Sequence, residues 1–163
     1  MSALDDFLNK AVEQIGYKEG PNNDNKYGEY FNDNFETWCC YFICWCADQE
    51  GLLTYSEDAD CPYIPFSASV TKFDELYDEN RRLLEPKMDP SSNNYPMPGD
   101  LVAIQYDGYS SPNHIGIVYE VNGNTLTTIE GNCSDSVRTA TYTNLDGGSF
   151  GKIKYLLSNH KSY

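Results

Sequence analysis

The chain is poor in positive charge. Eleven Lys and Arg stand against 25 Asp and Glu, and the formal net charge is −14. Phosphate-rich partners are bound by clustered Lys and Arg, so neither nucleic acid nor an anionic membrane is an expected partner. The same acidity argues against targeting to anionic wall polymers by bulk charge. The excess is uneven: residues 1–50 carry ten acids and three bases, residues 51–100 ten and four, and residues 101–163 five and four. A long apolar run is also missing. No stretch approaches the ~20 residues that cross a bilayer, and Met1 to Gly16 lack the basic start and apolar core of a signal peptide. Two origins fit that beginning: synthesis in the cytoplasm, or release from a longer precursor. Histidine is scarce, with only His114 and His160. No internal repeat or second domain is visible, and 163 residues suit one globular domain spanning 1–163, expected as a monomer.

Cysteine, by contrast, is concentrated. Cys39, Cys40, Cys44 and Cys46 fall within eight residues, while Cys61 and Cys133 lie apart. Neighbours on one helix mostly miss disulfide geometry, so reactive, metal-binding or buried thiols are expected. At 100° per residue, Cys40 and Cys44 share one face and Cys39 and Cys46 another. The four do not converge, which makes a zinc site built from this helix alone poor geometry. Adding Cys61 or Cys133 matches no usual ligand spacing. Cys44 and Cys46 read as core.

Helical periodicity fills the first half. Leu4, Phe7, Leu8, Ala11, Val12 and Ile15 form one apolar stripe, with Ser2 and Asp5 as a capping pair and Gly16 as a stop. Residues 17–37 read as a polar connection. A second helix, from about Trp38 to Glu50, is apolar nearly all round and so expected at the centre. Residues 52–68 read as a loop with Pro62 and Pro65, and a third helix is expected over about Val70 to Leu83. Residues 85–99, with four prolines, form a long surface connection. Strands follow: Leu101–Ile104, Ile115–Val121, Thr125–Glu130, Val137–Tyr142 and Ile153–Leu157, separated by turn signals such as Asn122-Gly123-Asn124 and Asp146-Gly147-Gly148. Helices first and strands second imply an α+β fold, with N-terminal helices packed on a C-terminal antiparallel sheet of about five strands.

Cys39 opens the central helix. Unpaired amides at a helix N-terminus stabilise a thiolate, the reactive form of cysteine, and also suit the oxyanion formed when a carbonyl is attacked. The bland alternative is a small buried hydrophobe. His114 stands at the head of a strand, whereas His160 lies among polar residues near the C-terminus and reads as solvated. If residues 114–121 and 125–132 form a hairpin about 122–124, Val121 faces Thr125, His114 falls opposite Asn132, and Gly116 opposite Glu130. Alternation then puts His114, Glu130 and Asn132 on one face, with His114 and Glu130 about 7–8 Å apart at Cα. Gly116 leaves space on that face. A two-residue turn would break the arrangement by a one-residue slip. The set follows Cys–His–acid logic: the imidazole takes the thiol proton, and a carboxylate or amide orients the ring.

These residues resemble the CHAP family, the cysteine- and histidine-dependent amidohydrolase/peptidases. The resemblance runs in family order through Gly16-Tyr17-Lys18-Glu19-Gly20-Pro21 with Lys26-Tyr27, then Trp38-Cys39-Cys40-Tyr41-Phe42, Pro98-Gly99-Asp100-Leu101-Val102, His114-Ile115-Gly116-Ile117-Val118 and Ile129-Glu130-Gly131-Asn132. It covers nearly the whole chain. It implies a papain-like α+β fold, Cys39 as nucleophile, His114 as base, Glu130 as orienting acid and Asn132 as supporting amide. Trp38 and Tyr27, both within the matched segments, are the expected substrate contacts. The implied reaction is cleavage of an amide bond in bacterial peptidoglycan, between sugar and stem peptide or within the peptide and cross-bridge, as in a phage endolysin, an autolysin or a delivered toxin. No cofactor is implied as a requirement. Some members bind calcium in an acidic loop before the nucleophile, and Asn23-Asp24-Asn25 is faintly similar, so a calcium ion near Asp24 is an expectation set against a simple polar turn. One departure stands out: Cys40 replaces the usual small residue after the nucleophile. Two other classes remain open, a non-catalytic binding module on the same fold and a zinc-binding interaction module using the cysteine cluster.

Overall fold

The structure, a computed structural model, describes residues 2–55, 64–143 and 149–160. Helix α1 (Ala3–Gln14) starts on the expected capping box: the Ser2 hydroxyl accepts from Asp5 N, and the Asp5 carboxylate accepts from Ser2 N. Gly16, at φ 100°, turns the chain out of it. The polar segment that follows contains a short helix not read from the sequence, α2 (Lys26–Tyr30), capped by the Asn25 side chain on Gly28 N at 2.7 Å. The central helix α3 (Cys39–Gln49) is buried at eight of its eleven positions, as its unbroken apolar character requires.

Between helices, β1 (Leu53–Thr54) and β2 (Ile64–Pro65) pair in parallel inside what the sequence presents as a loop. Pro62 and Cys61 lie outside the described residues, as does the turn signal at 146–148. Helix α4 (Val70–Glu79) is capped by Ser69 and buries Val70, Phe73, Leu76 and Tyr77. It ends earlier than the sequence suggests. Arg81 adopts φ 59°, and Leu83–Leu84 becomes strand β3, paired with Leu157 and Leu156. Pairing with an existing sheet edge satisfies backbone groups there as fully as another helical turn would.

The remaining strands are β4 (Leu101–Ile104), β5 (His114–Asn122), β6 (Thr125–Cys133), β7 (Ser136–Thr143) and β8 (Ile153–Leu157). The sheet has six strands in the order β3-β8-β4-β5-β6-β7, one more than expected, and every pairing is antiparallel. The fold is therefore α+β as the sequence implies. Alternation divides the sheet into two faces. Leu101, Ala103, Ile115, Ile117 and Ile129 pack against the helices. Val102, Ile104, Val118, Leu126, Tyr142 and Leu156 form a second apolar cluster on the other face.

The β5–β6 hairpin decides the geometry of the site. Its turn holds two residues, Gly123 and Asn124, with Gly123 at φ 60° in the first central position, as in a type II′ turn. Asn122 thus faces Thr125, and Val121 faces Leu126 rather than Thr125. That slip alone would turn the polar residues to the wrong face. A β-bulge at Tyr119 takes up one residue, and beyond it Val118 pairs with Thr128 and Ile117 with Ile129, restoring the expected register.

His160 departs from the expectation of a solvated side chain. Its Nδ1 bonds Asp100 Oδ1 at 2.8 Å, and Asp100 is buried. The Asp100 carboxylate also accepts from Met97 N and Asn159 N, which ties the end of the chain to the start of β4. That bond is the leading cause that holds His160 above the ordinary imidazole range. No helix among the described residues is long and apolar enough to cross a membrane.

Candidate active site

The mouth of α3 is set by aromatic packing. Trp38, its N-cap residue, makes no side-chain cap. Its ring stacks on Tyr27 at 5.3 Å and meets Tyr17 edge-on at 5.8 Å, while its indole N–H points to Glu19 at 3.4 Å. Trp38 and Tyr27 are both fully buried. Neither ring presents a surface to a substrate, so the expectation that they contact one gives way to a supporting role: they fix where the helix begins. The first-turn amides are left free of a side-chain cap, and Cys39 stands among them.

The sheet supplies the other half. His114 is the first residue of β5, paired with Ile104 of β4. Its Nε2 donates to Glu130 Oε1 at 2.8 Å, and both side chains are buried. Cys39 lies close enough to His114 for each to shift the other's ionisation. Gly116 gives Glu130 its space: a Cβ there would lie 2.9 Å from Glu130 Cγ. Gly131 serves the helix. A Cβ there would lie 2.5 Å from Phe42 Cβ, so only glycine lets β6 approach α3 one turn below Cys39.

Two residues complete the carboxylate's surroundings. Thr128 Oγ1 and Tyr142 Oη both donate to Glu130 Oε2, the latter at 2.7 Å. Thr128 lies two residues before Glu130 on the same face, a signal present in the alternation. Tyr142 reaches diagonally from β7 to β6, and no sequence pattern marks it. Tyr106, from the β4–β5 connection, stacks on the His114 ring. Asn132 stands apart. It adopts φ 56° where the β6–β7 register shifts between Glu130 and Cys133, so it leaves the regular alternation. Glu130, the expected orienting acid, holds the His114 Nε2.

These contacts set the charges. The Cys39 thiol is held well below the ordinary cysteine range. The hydrogen bond from the Cys40 thiol contributes most; burial opposes it, and the hydrogen bond and positive charge of His114, with the Cys40 amide, add to it. Cys40 is pushed the other way by that same bond and by burial, and stays a donor. Burial disfavours a charged His114, but its bonds to Cys39 and Glu130 and their negative charges outweigh burial and push it up to about 10. Burial likewise works against Glu130, and the bond and charge of His114, then Thr128 and Tyr142, hold its carboxyl below the ordinary range. All three shifts favour the charged forms: a thiolate, an imidazolium and a carboxylate.

The other thiols read as structure. Cys44 and Cys46 are fully buried, and burial pushes Cys44 up to about 12. No group of three or more His, Cys, Asp or Glu able to hold a metal occurs among the described residues. The Asp24 carboxylate accepts from the Asn34 amide at 2.7 Å and belongs to no such group among the described residues. A cavity of about 550 Å³ lies elsewhere, at the Asp100 end of β4, walled by Tyr95, Met97, Val121 and Leu156.

The fold resembles solved structures of Ly7917. One such crystal structure superposes with a TM-score of 0.54 at 14% identity, covering 99% of this chain and 65% of that one. A second, of Ly7917 with the hydrolyzing product of MDP, gives 0.53 at 15% identity, covering 96% of this chain and 63% of that one. The chain thus spans a little under two thirds of these relatives. No curated protein matches its sequence closely. The family model for the CHAP domain matches residues 29–132, well over half of the 163 residues and the stretch from the end of α2 through α3 to Asn132, and the chain belongs to that family.

Proposed function

We propose that the protein is a peptidoglycan hydrolase that cleaves an amide bond with Cys39 as nucleophile, His114 as general acid and base, and Glu130 as the orienting carboxylate. The observation that carries this reading is the buried group of three, with His114 bonded to Glu130 at 2.8 Å and Cys39, at the start of α3, close enough for thiol and imidazole to shift each other's ionisation. Membership of the CHAP family supports it, as does a structural relative solved with the hydrolyzing product of MDP.

The Cys39 thiolate attacks the amide carbonyl carbon, and the carbonyl electrons move to oxygen. First-turn amides of α3 face the resulting oxyanion. His114 gives its proton to the amide nitrogen, the C–N bond breaks, and the amine leaves while the acyl group stays on sulfur as a thioester. Water then gives a proton to His114 and attacks the thioester. The acid is released, and thiolate and imidazolium are restored. The amide attacked lies between sugar and stem peptide or within the peptide and cross-bridge. The site of action is the cell wall, and the protein works as a monomer without a metal. Asn132 serves as a supporting amide beside Glu130.

Defined peptidoglycan fragments digested with the protein and read by mass spectrometry test this. Cleavage at one amide class is expected, lost in Cys39→Ser and in His114→Ala while each variant keeps its fold. Intact fragments with the unaltered protein, or cleavage that survives Cys39→Ser, would refute it.

A further inference from the structure

Tyr106 belongs to no motif, and its connection, residues 105–113, carries no periodic pattern. The structure nevertheless lays its ring on His114, with centroids 5.4 Å apart and planes 24° from parallel. The connection is fixed to the sheet. Asn113 N donates to Ile104 O at 2.9 Å, and the Asn113 side-chain oxygen accepts from Tyr106 N at 2.9 Å. Gln105 N donates to Lys152 O at 2.7 Å, and Gln105 Nε2 to Tyr109 O at 2.7 Å. Asn113, the residue before His114, therefore also holds the backbone of the aromatic residue that covers it.

The groups around His114 divide by direction. Glu130 from β6 holds Nε2 at one ring edge, Cys39 from α3 is close enough to interact with the ring's charge, and Thr128 and Tyr142 act on it through Glu130. Edge contacts fix the nitrogens but leave a flat ring free to rock out of plane. A stacked aromatic ring resists that rocking. Its negative face also attracts a cation within ~6 Å, which a charged imidazolium satisfies and a neutral one does not.

We propose that Tyr106 is a positioning residue for His114: its stacked face keeps the imidazole plane aligned between Cys39 and Glu130 and favours the imidazolium over the neutral ring. The inference rests on reading Cys39 and His114 as a working pair. It assigns the effect to the π-face, so phenylalanine substitutes for tyrosine, whereas leucine covers the ring without supporting it.

The test is a titration of His114 by the ring carbon shifts of isotope-labelled histidine, assigned with His160→Gln, in the unaltered protein, Tyr106→Phe and Tyr106→Leu. Tyr106→Phe is expected to keep the midpoint. Tyr106→Leu is expected to lower it by about half to one pH unit, and to lower kcat on peptidoglycan about tenfold with KM little changed. A leucine variant with an unmoved midpoint, or phenylalanine and leucine variants that behave alike, would overturn the proposal. The amide spectrum of each variant reports whether it is folded, and Tyr106→Met replaces a leucine variant that is not. If hydrolysis requires Cys39 and His114 while the leucine variant titrates normally, this inference fails and the hydrolase reading stands. If the midpoint moves as expected in a protein that cleaves no peptidoglycan, the reverse holds.

Discussion

Adding one methyl group at Gly116 separates the role of Glu130 from general stability. Gly116 does not need a left-handed backbone, since its φ is not among the positive values. Alanine there costs nothing in conformation and restricts the unfolded chain, a gain of about 0.4–1 kcal/mol. Space is what it lacks. The new Cβ would lie 2.9 Å from Glu130 Cγ, 3.2 Å from Thr128 Cβ and 3.4 Å from Glu130 Oε2. Overpacking of this kind costs about 1–3 kcal/mol, so Gly116→Ala is expected to lose about 1–2 kcal/mol net. The atom that must move is the one that carries the carboxylate bonded to His114. A displacement near 1 Å at such a group lowers turnover about a hundredfold. Urea unfolding followed by circular dichroism measures the first quantity, and release of amine from defined peptidoglycan fragments measures the second. A variant with unchanged stability and turnover would refute the packing argument. Lost stability with full turnover would show that Glu130 does not need to sit where it does.

Other consequences are as specific. Gly131→Ala, with its Cβ 2.5 Å from Phe42 Cβ, is expected to cost about 3 kcal/mol or prevent folding, because helix and strand backbone both must shift; expression and melting temperature report it. Tyr142→Phe removes one donor to Glu130 and is expected to cost about 1 kcal/mol in stability and a few-fold in kcat. Asp74 has a buried Oδ1 with no hydrogen bond among the described residues, and burial pushes its carboxyl up to about 7 from 3.8. The fold therefore favours its neutral form, and that contribution is full below about pH 4 and is lost as pH rises through about 7. Because the residue is partly exposed, Asp74→Asn should stabilise by about 1–2 kcal/mol at pH 8 and hardly at all at pH 4, read by unfolding at both values.

Much of the site is legible in the sequence because it depends on local periodicity. The apolar circumference of residues 39–49 places Cys39 at the start of a buried helix. Alternation along 114–121 and 125–130 brings His114 and Glu130 to one face. The agreement in register arises by a route the sequence does not display, a two-residue turn whose slip is cancelled by the bulge at Tyr119. Bulges depend on the neighbouring strand and carry little local signature. The same reason hides the irregularity at Asn132, whose place in the alternation holds only for an unbroken strand. Trp38 and Tyr27 show a different limit. An aromatic residue beside a nucleophile suits a substrate or a core equally well, and only burial separates the two. Tyr106 and Tyr142 come from a loop and a third strand, so their positions follow from tertiary packing alone. His160 looks solvated by its neighbours in sequence, yet its partner Asp100 lies sixty residues away.

Cys39 is held toward its thiolate by the hydrogen bond from the Cys40 thiol together with the bond and charge of His114 and the Cys40 amide at the mouth of α3. The rate of iodoacetamide alkylation against pH, with the modified cysteine located by mass spectrometry, measures this directly. Cys39 is expected to react ahead of the other thiols and below the range near 8.5 of a free cysteine, and His114→Ala is expected to move its curve up toward that range. Labelling that begins at Cys40 or Cys133, or a Cys39 rate that rises only above about pH 8.5 in the unaltered protein, would contradict it.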